Sequence, residues 1–466
     1  MSGNKLNIIL LLLLIAGMQG CSLFEQISRT PAPHKPVTVK SDSSDHNLPA
    51  NTGNAGDTLL PEKDKSKYLK EEYHLAVLLP LYLDNSYLTE LDPEAKKYSY
   101  RPMVATEYLQ GLLIAIEDMK NSGINLRVSI FDTRNDSATV RDILRQDALK
   151  NADLIIGPLF PRNLALVAPF AARHQILLVS PLSSKVPLRE ANPEFIKARP
   201  GDDAHVERLA RYAAMHFRQY PVYIFHTPDP AEKAMASYMA RVYRESLPYG
   251  DEEKELHMVE LEEDGSFDKE LLSAHDTNIV LVPSNNEIFV TNILRGLNNI
   301  TEGEAFNLGS NSKKEDIRYL VRPEDIFLFG MPSWIEKFAS SRFDYLNTLN
   351  FYTSREFFYD TASSAYQHFR SAFIDTFHYA PSSVSMKAYD ICFYMGQLLS
   401  RYGSRSIDYF NFYHHAPING QIEIRPVYRK DPKRGKEILH HHENRYVHIL
   451  RFDAYKLELA PGFLAK

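Results

Sequence analysis

The chain has 466 residues, 44% hydrophobic and 24% charged, which exceeds one ordinary core at about 150 residues per domain and excludes a disordered polymer. Its 53 Lys+Arg against 59 Asp+Glu leave a net charge of -6, and this mild acidity argues against a phosphate-binding surface and so against nucleic acid as a partner. Only two cysteines are present, Cys21 and Cys392, so neither a disulfide framework nor a paired-cysteine zinc site is available.

The N-terminus reads as an address. Lys5 is followed by the apolar run Ile8 to Ala16 and then by Gly17-Met18-Gln19-Gly20 ahead of Cys21. A basic start, a short apolar centre and small residues before a cut are the parts of a secretory signal. The run is too short to span a bilayer. Cysteine directly after Met-Gln-Gly resembles the bacterial lipoprotein box. That resemblance implies a signal peptide over 1–20, cleavage before Cys21, acylation of its thiol and attachment to a membrane; Ser22 in the next position implies the outer membrane rather than the inner. Residues 21–70 then read as a tether: Pro31-Ala-Pro33, Ser41 to Asp45 and Asn51 to Gly56 are polar, carry Pro or Gly, and lack an apolar period.

From His74 the pattern changes to alternating strand and helix. His74 to Pro80 is a short apolar run that predicts a buried strand. Val104, Tyr108, Leu112, Ile116 and Met119 recur at three- and four-residue spacing, one face of a helix that Asn121-Ser-Gly123 stops. Strands follow over Leu126–Phe131, Asp153–Ile156 and Ile176–Val179, with helices over Ala138–Asn151 and Asn163–His174 between them. A second series has helices over Asp202–Arg218, Ala231–Leu247 and Glu287–Leu297, with strands over Val222–Phe225, Asn278–Val282 and Asp325–Phe329. Two long helical patterns, Thr361–Phe377 and Ser385–Ser400, precede short strands over Gln421–Arg425 and Arg445–Phe452. Such alternation predicts an α/β protein with two doubly wound, mostly parallel sheets.

Parallel α/β sheets bind ligands outside the carboxyl ends of their strands. In the first lobe those ends carry Tyr82, Asp132-Thr133, Gly157-Pro158-Leu159 and the loop Ser180-Pro-Leu-Ser183-Ser184. In the second they carry His226, Ser284 and Trp334. Trp334 and Tyr82 are candidates for the cleft wall.

The run of residues Leu78-Leu-Pro80, Tyr108 to Glu117, Ile155-Ile-Gly-Pro158 and Val179-Ser-Pro-Leu-Ser183, with Ala388-Tyr389-Asp390 opening an apolar helix, resembles type I periplasmic binding proteins. The nearest branches are the branched-chain amino acid receptors and the lipoprotein activators of penicillin-binding proteins. The resemblance implies two lobes joined by three crossovers, with lobe one as 73–200 plus 352–405 and lobe two as 201–351 plus 406–466, the crossovers falling near Pro200, Phe351 and Ser406. It implies a non-catalytic protein, lipid-anchored on the periplasmic side of the envelope. Such a protein holds a small polar solute (an amino acid, a peptide or a wall fragment) for an ABC permease or for sensing, or else activates a peptidoglycan synthase by contact. In amino-acid receptors of that family the ligand carboxylate meets hydroxyls and backbone N–H groups at lobe-one strand ends, and the resemblance implies that Ser180, Ser183 and Ser184 stand in the matching loop, with Asp132 or Asp390 as the acid for a ligand amine. No cofactor is implied. Leu159-Phe160-Pro161 is bulkier than the small polar residues that many amino-acid receptors carry there.

Three further motifs read as bland. His440-His-His442-Glu443 with His448 predicts a solvated loop rather than a metal site, because three consecutive His cannot share one face of a strand. Cys392 lies in an apolar helical stretch and predicts a buried, inert thiol. Ser310-Asn-Ser-Lys313 sits in a polar loop without the partner motifs of the acylating enzymes.

Overall fold

A computed structural model describes residues 68–84, 101–184, 188–250, 255–267, 271–273, 276–307, 321, 325–337, 343–431 and 435–462. The signal peptide, Cys21, all but the last three residues of the tether, and Ser310 to Lys313 lie outside the described residues. Among the described residues no helix is long and apolar enough to cross a membrane.

The first sheet is built from β1 (Tyr73–Leu79), β2 (Leu126–Asp132), β3 (Leu154–Ile156), β4 (Leu177–Ser180) and β5 (Phe195–Lys197), all parallel, in the order β2-β1-β3-β4-β5. The second repeats the plan with β6 (Val222–His226), β7 (Leu256–Glu260), β8 (Asn278–Val282), β9 (Ile326–Gly330) and β10 (Asn350–Arg355), ordered β7-β6-β8-β9-β10. Every residue of β1, β6 and β8 is buried, as strands covered by helices on both faces must be.

The helices follow the strands. α1 (Arg101–Asn121), α2 (Ser137–Ile143), α3 (Asp147–Lys150) and α4 (Leu164–His174) belong to the first lobe. The predicted helix over 138–151 is thus two short helices, broken at residues 144–146. α5 (Asp202–Phe217), α6 (Pro230–Glu245), α7 (Glu287–Asn307), α8 (Ser333–Glu336) and α9 (Phe343–Thr348) belong to the second, and α10 (Ser364–Phe377) and α11 (Ser383–Tyr402) return to the first.

Two edge hairpins complete the sheets. After a short two-stranded piece, β11 (His415–Ala416) with β12 (Gly420–Gln421), come β13 (Ile424–Lys430) and β14 (Glu437–Asn444). β14 lies parallel to β5, with His442 opposite Ile196 and Glu443 opposite Lys197, so this hairpin extends the first sheet. β15 (His448–Asp453) lies antiparallel to β10, and with β16 (Lys456–Leu459) extends the second.

The chain therefore crosses between lobes at residues 198–201, after Arg355, and at residues 445–447. The third crossover differs from the position expected near Ser406. The segment after α11 stays on lobe one, where Ser406 Oγ bonds the carbonyls of Gly403 and Leu398 and Tyr394 OH donates to the Tyr413 carbonyl at 3.0 Å. Strands β13 and β14, expected in lobe two, belong to lobe one. The second crossover follows β10 rather than falling at Phe351, because residues 350–355 form a buried strand of the second sheet.

Candidate functional site

The strand-end side chains expected to meet a ligand are largely occupied by their own lobes. Asp132 accepts four backbone N–H groups, from Leu81 (2.9 Å), Tyr82 (3.0 Å), Leu83 (2.8 Å) and Arg134 (3.0 Å). Three of these converge on Oδ1 and one on Oδ2, so most of the roughly four acceptor positions of the carboxylate are taken within the lobe. The residue instead fixes two turns in which Tyr82, Arg134 and Asn135 take positive φ. Tyr82 is buried at 3% exposure, and Thr133 is buried with its hydroxyl accepting from Asn135 N–H. Ser180 is buried and its hydroxyl has no hydrogen-bond partner among the described residues; Ser183 is buried and Ser184 exposed.

Lobe two shows the same economy around a residue the sequence reading passed over, Glu232. Its two carboxylate oxygens accept from Ser284 Oγ (2.6 Å) and Thr227 Oγ1 (2.8 Å). Asp229 caps α6 through the N–H groups of Ala231 and Glu232, while the Glu232 carboxylate reaches back to the β6 end and accepts the Thr227 N–H at 3.4 Å. His226 is buried with Nδ1 2.8 Å from the Thr227 carbonyl. Trp334 is a core residue, not a cleft wall: it is fully buried, stacks on Phe351 with centroids 5.4 Å apart, and donates its indole N–H to the Ser284 carbonyl at 2.9 Å.

One concave site lies where the carboxyl ends of β4 and β5 meet the crossovers; two others of about 640 and 610 Å³ lie against Tyr238 and Arg425 and against Lys70 and Asp153. The first is a cavity of about 220 Å³ whose wall includes Pro181, Leu182 and Phe357 and whose polar groups come from Arg199, Glu356, Lys387, Asp390, Asn419 and Asn444. Of the ten ligand candidates in the sequence, Asp390 alone lines it; the serine loop contributes Pro181 and Leu182 rather than its hydroxyls.

These six polar groups are also the ties of the hinge. Glu356, just past β10, bonds Arg199 of the first crossover at 2.8 Å through Oε2 and Lys387 of α11 through Oε1. Burial alone would raise the Glu356 carboxyl, but Lys387 and Arg199 outweigh it and hold it below its ordinary range. Asn419 Oδ1 meets Phe358 N–H and His448 Nε2, each at 2.9 Å, and its amide donates to the Glu356 carbonyl at 3.3 Å. Asn444 donates to the Ala198 carbonyl at 3.1 Å and accepts from Tyr446 N–H at 3.0 Å. Asp390 accepts Ile418 N–H (2.9 Å) and Asn419 N–H (2.8 Å) and so positions Asn419.

A second charged array joins the same crossovers. Lys197 on β5 meets Glu443 on β14 at 2.6 Å, and Arg445 joins Glu443 (2.6 Å) to Asp203 and Glu207 of α5. Burial pushes Glu207 up, yet Arg445, Tyr238 and Arg425 bring it down to about 2. The solvated loop expected at 440–443 is therefore a buried strand. His440, His441, His442 and Glu443 are each at most 7% exposed, because β14 inserts beside β5 and the two cations neutralise Glu443. Burial lowers His440 to about 4, and His442 Nδ1–H donates to the Pro193 carbonyl at 2.8 Å. Among the described residues no group of His, Cys, Asp and Glu is arranged to hold a metal. Cys392 is buried, and burial pushes its thiol up to about 12.

Two sheets of like strand order, joined by three crossovers and each closed by a C-terminal hairpin, define the fold of type I periplasmic binding proteins. Among solved structures, a putative branched-chain amino acid ABC transporter protein from Rhodospirillum rubrum is similar at a TM-score of 0.51 and 12% identity, over 84% of this chain and 100% of that one. An ABC transporter substrate-binding protein from Desulfitobacterium hafniense, in complex with Leu, gives 0.43 and 13%, over 84% and 100%. LpoA from Haemophilus influenzae gives 0.46 and 13%, over 84% of this chain and 59% of LpoA. No protein-family model matches the chain, and no curated protein does.

Proposed function

We propose that this chain is a non-catalytic binding protein of the bacterial envelope, which takes a small polar solute at the root of its two lobes. The observation that carries the reading is the cavity of about 220 Å³ at the β4 and β5 ends, lined by groups of both charge signs that also tie the crossovers. A solute there touches lobe one and the hinge together, so its binding energy is coupled to the relation between the lobes. The Met-Gln-Gly-Cys21 sequence supports an acylated anchor and a periplasmic setting, with an ABC permease or a sensor as recipient.

One observation favours a second reading, a regulatory lipoprotein that activates a peptidoglycan synthase by contact. The strand-end groups Asp132, Thr227, Ser284 and Glu232 are satisfied within their own lobes, so the two lips hold few open donors for a solute. Thermal unfolding against amino acids, short peptides and muropeptides separates the two. A ligand present at 100 times its Kd adds about 2.7 kcal/mol to the folded state. A dose-dependent rise of several degrees with one class is the expected result. A flat response to all classes would reject the solute reading in favour of a protein partner.

A further inference from the structure

Within the hinge cavity the charges are unequal. Arg199 and Lys387 both face it, with side chains 42% and 26% exposed, and both converge on the one carboxylate of Glu356. The other acid, Asp390, turns its two oxygens to the N–H groups of Ile418 and Asn419. Val384 and Lys387, in the first two turns of α11, bring the positive end of a 20-residue helix to the same wall. The Lys387 ammonium also lies 5.9 Å from the centroid of the Phe357 ring, which lines the same cavity and offers it a cation–π face. Two cations and a helix start are thus neutralised by a side chain that belongs to the second crossover and not to the lobe-one framework. A carboxylate between a guanidinium and an ammonium is also the arrangement by which a protein binds a carboxylate ligand.

We propose that the hinge cavity is an anion site for small carboxylates, occupied in the free protein by the chain's own Glu356, which the solute's carboxylate displaces. The proposal rests on the reading that the cavity takes a solute, and it names that solute's class. It also gives Glu356 a role opposite to that of an ordinary lining acid. An acid that held a ligand amine would lose affinity on neutralisation, whereas an internal competitor would raise affinity when removed. Because Arg199 belongs to the first crossover and Glu356 to the second, the exchange breaks one tie between them and replaces it with a tie to the solute.

The test is calorimetric titration of acetate and of L-alanine into the full chain and into Glu356→Gln, Arg199→Met and Lys387→Met. Glu356→Gln keeps the shape of the side chain while removing its charge and one of its two acceptor oxygens, and it is expected to bind both probes at least tenfold more tightly than the native chain. Arg199→Met and Lys387→Met are each expected to bind at least tenfold more weakly, with circular dichroism confirming that they fold. If Glu356→Gln binds L-alanine more weakly while acetate is unaffected, Glu356 holds an amine; the anion proposal is then overturned and the solute reading survives. If neutral sugars or peptides bind and the three substitutions leave them unchanged, the anion class is likewise wrong and the cavity reading stands. If neither probe nor any solute of the wider panel binds the native chain or Glu356→Gln, the proposal and the reading beneath it fall together. Should Glu356→Gln not fold, the two cation variants still decide: carboxylate affinity equal to that of the native chain would overturn the anion site.

Discussion

Asp390 is buried at 2% exposure, and burial pushes its carboxyl up to about 7, although the N–H groups of Ile418 and Asn419 pull the other way. An acid whose folded pKa is raised contributes stability that is complete below its unfolded value of about 3.8 and is lost as pH rises through about 7. Asp390→Asn removes that dependence. Between pH 5 and pH 8 the stability of the native chain is expected to fall by about 2 kcal/mol relative to the variant, read from urea midpoints at each pH. Parallel pH profiles for the two proteins would mean that the buried carboxyl does not titrate in this window. Asp390 was legible in the sequence as a polar residue in an apolar helix. The other groups of the cavity were not, since Arg199 and Glu356 lie on two crossovers, Asn419 between β11 and β12 and Asn444 at the end of β14, and no spacing rule joins them. The opposite error befell Asp132 and Ser284: they stand at strand ends, as ligand groups do, but the local turns and Glu232 claim their hydrogen bonds.

At the scale of elements, α1 and α11 cross in direct backbone contact. A Cβ placed on Gly111 would overlap the carbonyl of Ser385, and one on Gly396 would overlap Met119 Sδ. These glycines let α11 sit deep enough to bring Lys387 and Asp390 to the cavity. Gly111→Ala forces the helices apart and is expected to cost about 1–3 kcal/mol, typical of overpacking, read from the denaturation midpoint. Unchanged stability would show that α11 tolerates a shift and that its close seat is not required. The same scale shows which elements a sequence displays. β1, β6 and β8 are unbroken apolar runs and announced themselves. β5 is only three residues, and β14 is written in histidine and glutamate, so neither carries an apolar signal. Their burial is made possible by Lys197, Arg445 and the Pro193 carbonyl, partners that only the folded chain brings near. Missing β14 also displaced the third crossover by about 40 residues.

For the whole molecule, the β–α alternation was enough to specify two doubly wound lobes, because buried parallel strands and amphipathic helices differ in period. What it did not specify was how the lobes are joined. Asn419, Asn444, Glu356 and Arg445 each bond across a crossover, so the hinge is a connected polar assembly and the cavity lies inside it. On the lobe-two side of that assembly Glu207, held at about 2, contributes stability above its ordinary value of 4.5 that is lost as pH falls toward 2. The central claim is that a solute sits at this junction. The most direct measurement is the structure of the full chain crystallised with L-alanine and, separately, with acetate at saturating concentration. Ligand density is expected against Arg199 and Lys387, beside Pro181 and Leu182, with the Glu356 carboxylate turned away. Density confined to the loops of Ser284 and Thr227 in lobe two, or an unaltered Glu356 between its two cations with no ligand, would contradict it.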